Sequence, residues 1–321
     1  MTDISKKDSL ILYYLNKNCR MPASQIGKKI HLSKQSTIEK IKKIKKEYIN
    51  FYNIWPNYSK LGFTSYKLFF KIKNLTLEEK EIFIQKLSQI NQLVWVASTD
   101  GIYDFISAIC VKNNQELSII IKQIKNNLNT KNFEIEIIPQ IKAWIYGRDY
   151  LNPNHKINDR KFITLSGDRK EEKIFLTETE QKILLELSKN PRIKITDLAQ
   201  KINEKTEKTN YYFKQLIKKE IIKKFSFIPK EEVYPFTTYK LYIEFTNLTQ
   251  KEEKNLLDLA QKELKLIHIL FCTGKWDCEI NLEVLNQREF NQILTNIKKE
   301  FGKSIKEYGF VMVEKTYKMQ I

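Results

Sequence analysis

The chain has 321 residues, 42% hydrophobic and 12% aromatic, enough for at least two buried cores and too apolar for a disordered chain. Its apolar runs, near Ile106–Val111 and Ile119–Ile121, fall far short of the ~18 residues of a membrane span, and the N-terminus lacks a signal-peptide plan. Four cysteines without a CxxC spacing point to a reducing cytoplasm, and the net charge of +18 invites a polyanion partner. Only six of the 56 basic residues are arginine, however, and an excess of lysine, isoleucine and asparagine also follows from an AT-biased genome.

Residues 3–17 read as a first helix with Ile4, Leu10, Ile11, Tyr14 and Leu15 on one stripe, and residues 23–30 as a short second one. A third runs from Ser33, an N-cap whose hydroxyl accepts from a free first-turn N–H, to about Glu47. Thr37, Ile41 and Ile44 face its core, leaving Lys34, Gln35, Ser36, Glu39, Lys40, Lys42 and Lys43 outside. Three short helices ending in a polar, lysine-rich one match the helix-turn-helix plan, although periodicity alone also fits a bundle with a solvated face. Tyr48–Ile54 suggests a strand, the wing of such a unit.

Tyr66–Ile72 reads as a buried strand, and Thr76 with Glu79 forms a capping box opening a helix over 77–90. Strands at 93–98 and 103–111 flank Asp100-Gly101, a hairpin signal; a helix over 115–128 and a strand over 134–146 follow. The order strand, helix, strand, strand, helix, strand is ferredoxin-like, an antiparallel sheet with two helices on one face. Residues 150–175, with Asn152-Pro153-Asn154-His155 and a Ser166-Gly167-Asp168 turn, read as a linker with a short strand at 161–165.

The pattern then starts again. Phe63-Thr64-Ser65-Tyr66-Lys67-Leu68 and Asn74-Leu75-Thr76 return as Phe236-Thr237-Thr238-Tyr239-Lys240-Leu241 and Asn247-Leu248-Thr249, all at an offset of 173. The capping pair recurs as Thr249 and Glu252, and Thr209, Phe213 and Leu216 take the places of Thr37, Ile41 and Ile44. Helices are expected over 178–187, 196–202 and 206–220. The expected architecture is α+β: two copies of a winged helix-turn-helix followed by a ferredoxin-like βαββαβ domain. The boundaries are 1–55, 56–149, a linker at 150–175, 176–228 and 229–321.

Four signals in series carry a family resemblance: Leu32-Ser33-Lys34-Gln35 at the third helix, Ser59-Lys60-Leu61-Gly62, the Tyr66-Lys67 strand and the Gly101-x-Tyr103-Asp104 hairpin. Together they resemble the Lrp/AsnC transcription regulators, here as a tandem fusion. The resemblance implies a double-stranded DNA partner read by Ser33, Lys34, Gln35, Ser36, Lys40 and Lys43. With no arginine in that helix, A·T-rich sites are expected. In the second copy Lys205, Lys208, Tyr211 and Tyr212 face a DNA backbone, while Glu204 and Glu207 weaken the match.

The resemblance also implies an effector site, for an amino acid, at Asp100, Gly101, Tyr103 and Asp104 and at Thr273, Gly274, Trp276 and Asp277. Turn geometry and packing explain those residues equally well. It further implies self-association, with the fused units pairing as a pseudo-dimer. No cofactor, metal site or catalytic residue is expected, and the chain is read as a regulator without enzymatic activity: His31, His155 and His268 have no ligand spacing, and no phosphate loop or nucleophile elbow occurs. Two alternatives remain. Sirohaem decarboxylases resemble the same unit, yet here only His268 stands where an imidazole is wanted, Trp95 takes the matching place in the first copy, and arginine is scarce. The other is a sensor or scaffold that binds no DNA.

Overall fold

The computed structural model describes residues 4–72, 76–127, 133–167 and 172–319. Asn74-Leu75 of the repeated stretch and Asp168 of the expected turn lie outside them. In chain order the elements are α1 (Lys6–Lys17), α2 (Ala23–Ile30), α3 (Lys34–Glu47), β1 (Ile49–Pro56), β2 (Thr64–Ile72), α4 (Leu77–Ser88), β3 (Leu93–Gly101), β4 (Phe105–Val111), α5 (Asn114–Asn127) and β5 (Phe133–Tyr146). After β6 (Phe162–Ser166) come α6 (Glu178–Lys189), α7 (Ile195–Lys201), α8 (Thr206–Lys218), β7 (Ile222–Pro229), β8 (Thr237–Phe245), α9 (Gln250–Lys262), β9 (Leu266–Cys272), β10 (Cys278–Val284), α10 (Gln287–Phe301) and β11 (Ile305–Met319).

The apolar stripes of α1–α3 meet in one core of Ile11, Leu12, Leu15, Ile26, Ile30, Ile41 and Ile44. Those of α6–α8 meet in another, around Ile183, Leu187, Leu198 and Leu216. The strand after α3 packs Ile49 into the core of its own head and also pairs across the chain. β1 pairs antiparallel with β7, from Ile49 opposite Pro229 to Pro56 opposite Ile222. Through this ribbon Phe227 enters the core of the first head and Ile54 that of the second. The two heads therefore share a seam.

The remaining strands do not form two separate ferredoxin-like sheets, and here the sequence reading is corrected. Strand order is β2-β4-β3-β11-β8-β10-β9-β5, and β5 also pairs with β2, so the sheet closes into an antiparallel barrel with β6 on the edge of β5. Length explains the closure. β5 and β11, of 14 and 15 residues, extend roughly 46–50 Å at ~3.3 Å per residue, about twice the strands beside them. β5 pairs with β2 through Phe133–Pro139 and then with β9 through Gln140–Ile145. β11 pairs with β8 up to Met312 and with β3 beyond it. Closure also removes the free edges that an open sheet would expose.

Helices α4 and α5 cover one outer face around Phe70, Phe83 and Phe105, and α9 and α10 the other around Leu241, Leu256, Ile280 and Phe290. Thr76 with Glu79 and Thr249 with Glu252 form reciprocal capping boxes at α4 and α9. The segment expected as a linker is packed down instead. Buried Arg160 donates to the carbonyls of Ala260, Glu263, Leu264 and Leu266 at the end of α9. Buried Arg148 grips Glu283 of β10.

Candidate functional site

Helix α3 buries Thr37, Ile41 and Ile44 and leaves Lys34, at its first turn, and Gln35, Ser36 and Lys43 exposed. Ser33 starts it as expected, its hydroxyl accepting the Ser36 N–H at 3.0 Å. Lys40 belongs to the same face but reaches back to Asp8 of α1 at 2.8 Å. Helix α8 differs. Its N-cap is Lys205, without a side-chain capping bond, and Lys208 is paired with Glu204 at 2.6 Å. Tyr212 packs toward the second head's core, whereas Tyr211 is 57% exposed.

The hairpin residues meet at the end of the barrel away from the heads. The indole N–H of Trp276 donates to the Tyr103 hydroxyl at 2.7 Å, and that hydroxyl donates to Glu136 at 2.6 Å. Both rings pack with Phe69, Ile106, Ile138 and Tyr242 and plug the barrel interior there. Asp104 accepts the backbone N–H of Ile72, and Asp277 that of Phe245, so each carboxylate ties its hairpin to a neighbouring strand. Gly101 and Gly274 have φ of 133° and 137°, conformations that glycine adopts without strain. Asp100 and Thr273 stay exposed at the rim.

Above this plug lies a feature the sequence reading missed: an interior cavity of about 170 Å³. That is close to the ~150 Å³ of a cavity that takes one benzene. Its charged floor combines both halves of the chain. Lys240 of β8 donates to Glu279 at 2.9 Å and also to Asn281, both on β10, while Lys67 of β2 reaches Glu279 at 3.3 Å. Both ammonium groups sit 4.7 Å from the Trp95 ring centroid. Burial opposes ionisation of Glu279, but Lys240 and Lys67 outweigh it and hold its carboxyl down to about 2. Burial pulls the Lys240 ammonium down to about 8. His268 is pushed well below the usual imidazole range by burial and by Lys240 and Arg148, so it is neutral.

The roof of the cavity comes from the ribbon that joins the heads, with Trp55 and Pro56 from β1 and Ile228 and Pro229 from β7. Trp55 stands edge-on to His268, with ring centroids 5.3 Å apart. A signal for this site lay in the sequence: a lysine at the same place in the two repeated strands, Lys67 and Lys240, and Glu279-x-Asn281-x-Glu283 on β10. That alternation resembles a solvent-facing strand edge, and only closure of the barrel turns it inward.

Residues 176–223 match the winged helix-turn-helix DNA-binding family. The chain is similar to the HTH-type transcriptional regulator LrpB of Bacillus subtilis, with 28% identity over 141 residues, 40% of this chain and 95% of that protein. It is also similar to an uncharacterized HTH-type transcriptional regulator of Pyrococcus furiosus, with 27% identity over 151 residues, 43% of this chain and 95% of that protein. Among solved structures, the siroheme decarboxylase NirDL shares the fold over 99% of this chain and 93% of its own, with a TM-score of 0.60 and 11% identity. A second NirDL structure, in complex with an iron-uroporphyrin III analogue, matches with a TM-score of 0.59. This overturns the flat expectation of no enzymatic activity, because the fold of the whole chain is one that an enzyme uses. Among the described residues no helix is long and apolar enough to cross a membrane.

Proposed function

We propose that the chain is a DNA-binding transcription regulator, internally duplicated so that two helix-turn-helix heads stand on one barrel as a pseudo-dimer. One observation carries the reading: α3 leaves Lys34, Gln35, Ser36 and Lys43 exposed to solvent while Thr37, Ile41 and Ile44 are buried. Similarity to two transcription regulators over nearly their full length supports it. Lysines at such a surface pair with phosphates, Gln35 and Ser36 offer hydrogen bonds to base edges, and the absence of arginine from α3 favours A·T-rich sites. The first head is the stronger reader, since Ser33 caps α3 while α8 starts without a side-chain cap and carries Glu207 where α3 carries Gln35. The barrel closes within one chain, which supports the pseudo-dimer.

The test is a mobility shift with DNA selected from random sequence, over a salt series. Binding should weaken by about 0.9 in log K per log unit of salt for each phosphate contact, and Lys34, Lys40 and Lys43 changed together to Ala should flatten that slope. Undetectable binding at low salt, or a slope unchanged by the triple change, would sink the reading.

A second reading, a tetrapyrrole-transforming enzyme, is favoured by the fold shared with NirDL over nearly the whole chain. The cavity, of about 170 Å³, is near the ~150 Å³ that takes a single benzene ring and far too small for a four-ring macrocycle, so this reading requires the roof to open. A saturable absorbance change on adding iron uroporphyrin to the purified chain would favour it over DNA binding; an unchanged spectrum would remove it.

A further inference from the structure

Two lysines face one carboxylate on the floor of the cavity. Lys67 is 5% exposed, Lys240 6% and Glu279 1%, and the other buried pair nearby, Arg148 with Glu283, neutralises itself. The floor thus holds one positive charge more than it balances. Among the described residues Glu279 is the one acceptor Lys67 reaches, at 3.4 Å, although an ammonium carries three N–H donors. A barrel that needed only to be filled would carry apolar side chains here, as it does around Ile106 and Ile138 at the plugged end. An excess buried charge without a counter-ion is costly, and the depressed ammonium of Lys240 reflects that cost.

We propose that the barrel interior binds a small organic carboxylate, with its acid group beside Lys67 and Lys240 and a flat apolar body against Trp95 under Trp55. The class follows from charge, size and shape. A monoanion cancels the excess charge, whereas a zwitterionic amino acid, of zero net charge, leaves it in place. The cavity, of about 170 Å³ against ~150 Å³ for one that takes benzene, limits the ligand to a single ring with a short acid arm, such as benzoate or phenylpyruvate. The indole faces of Trp95 and Trp55 favour a planar group. The site lies at the far end of the barrel from the Gly101 and Gly274 hairpins and draws on both halves of the chain.

The roof gives the site a route to the heads. Trp55 belongs to β1, which starts two residues after the end of α3 and pairs along its length with β7. A body seated under Trp55 bears directly on that ribbon and so on the setting of the two heads. This second step rests on the DNA-binding reading; the binding site does not.

The experiment uses the full chain at constant ionic strength, with benzoate, phenylpyruvate, 2-oxoglutarate and L-phenylalanine as probes and chloride as the control. Thermal unfolding and tryptophan fluorescence are followed together. The expected result is a saturable rise in Tm and a change in fluorescence with benzoate or phenylpyruvate, and none with L-phenylalanine. Lys67→Met, which leaves the Lys240–Glu279 pair neutral, should fold and weaken binding about 10–100-fold, as expected for a lost charged hydrogen bond. Trp55→Phe, which keeps the charges, should weaken it less. The proposal is overturned if no acid exceeds chloride, if L-phenylalanine binds better than phenylpyruvate, or if K67M responds as the parent does. DNA affinity measured with and without the bound acid separates the two steps. No change overturns the coupling alone, while absent DNA binding defeats the regulator reading and leaves the site standing.

Discussion

The two halves of the chain use the same order of elements for different ends, and the clearest contrast is between strands β4 and β10. At matching positions β4 turns Ile106, Ala108 and Cys110 toward the barrel interior, whereas β10 turns Glu279, Asn281 and Glu283 inward. Both strands are almost wholly buried, so the difference is not one of exposure. The first wall is packing. The second is a buried polar surface, stable only because Lys67, Lys240 and Arg148 answer it. The heads differ in the opposite sense: α3 is capped by Ser33 and α8 has no side-chain cap, although both pair some lysines, Lys40 with Asp8 and Lys43 with Glu47 in the first and Lys208 with Glu204 in the second. One half carries the better DNA surface and the other most of the polar floor.

The largest expected effect comes from breaking the polar wall. Glu279→Leu strands two buried ammonium groups and should cost about 3–5 kcal/mol, against ~1 kcal/mol for Ile106→Val at the matching place on the apolar wall. Urea unfolding of both variants measures the gap, and equal losses would mean the walls are equivalent.

The hairpins should separate next. Gly101→Ala and Gly274→Ala both force an L residue into a glycine conformation, at ~1–3 kcal/mol each. A Cβ at Gly101 would also stand 2.6 Å from the Phe310 carbonyl oxygen, whereas at Gly274 its nearest neighbour is Ile138 at 3.8 Å. Gly101→Ala should be clearly the worse in thermal unfolding; the reverse order would show that β11 does not press on β3 there.

Titration sharpens the same comparison. Lys240 is pulled down to about 8 by burial, so between about 8 and its ordinary 10.5 the unfolded chain binds more protons and stability should rise with pH. Glu279 is held at about 2, so its contribution is complete above its ordinary 4.5 and is lost as pH falls toward 2. Burial also pulls Lys224 of β7 down to about 8, so Lys240→Met should remove roughly half of the alkaline rise measured by denaturant midpoints, and an undiminished rise would assign it to Lys224.

The smallest effects belong to the helix starts. Ser33→Ala should cost about 1 kcal/mol, and Lys205→Ser should return a similar amount to the second head. Helical circular dichroism during unfolding resolves the two heads if their transitions part, and an insensitive Ser33 would remove the capping difference.

Much of the fold was legible because local rules are strong where segments are short. Ser33, Thr76, Thr249 and the Asp100-Gly101 turn all announce themselves through backbone groups that need a particular partner or a particular φ. The repeated Tyr-Lys strand marked where each sheet begins. The cavity was not legible, because an alternating strand such as β10 reads the same whether its polar side meets water or the inside of a barrel. The packing around Arg148 and Arg160 was hidden for a related reason: they are held by Glu283 and by the end of α9, all more than 95 residues away.

The sequence by itself determined the helices, the hairpins, the internal echo and the charged face of α3, since each depends on neighbours within a few residues. Only the tertiary structure decided that β5 and β11 each bridge two sets of strands, that β1 and β7 join the heads, and that Lys67, Lys240 and Glu279 meet inside the barrel. Those outcomes depend on which distant strand satisfies a free edge. Local periodicity leaves that choice open, and barrel closure makes it.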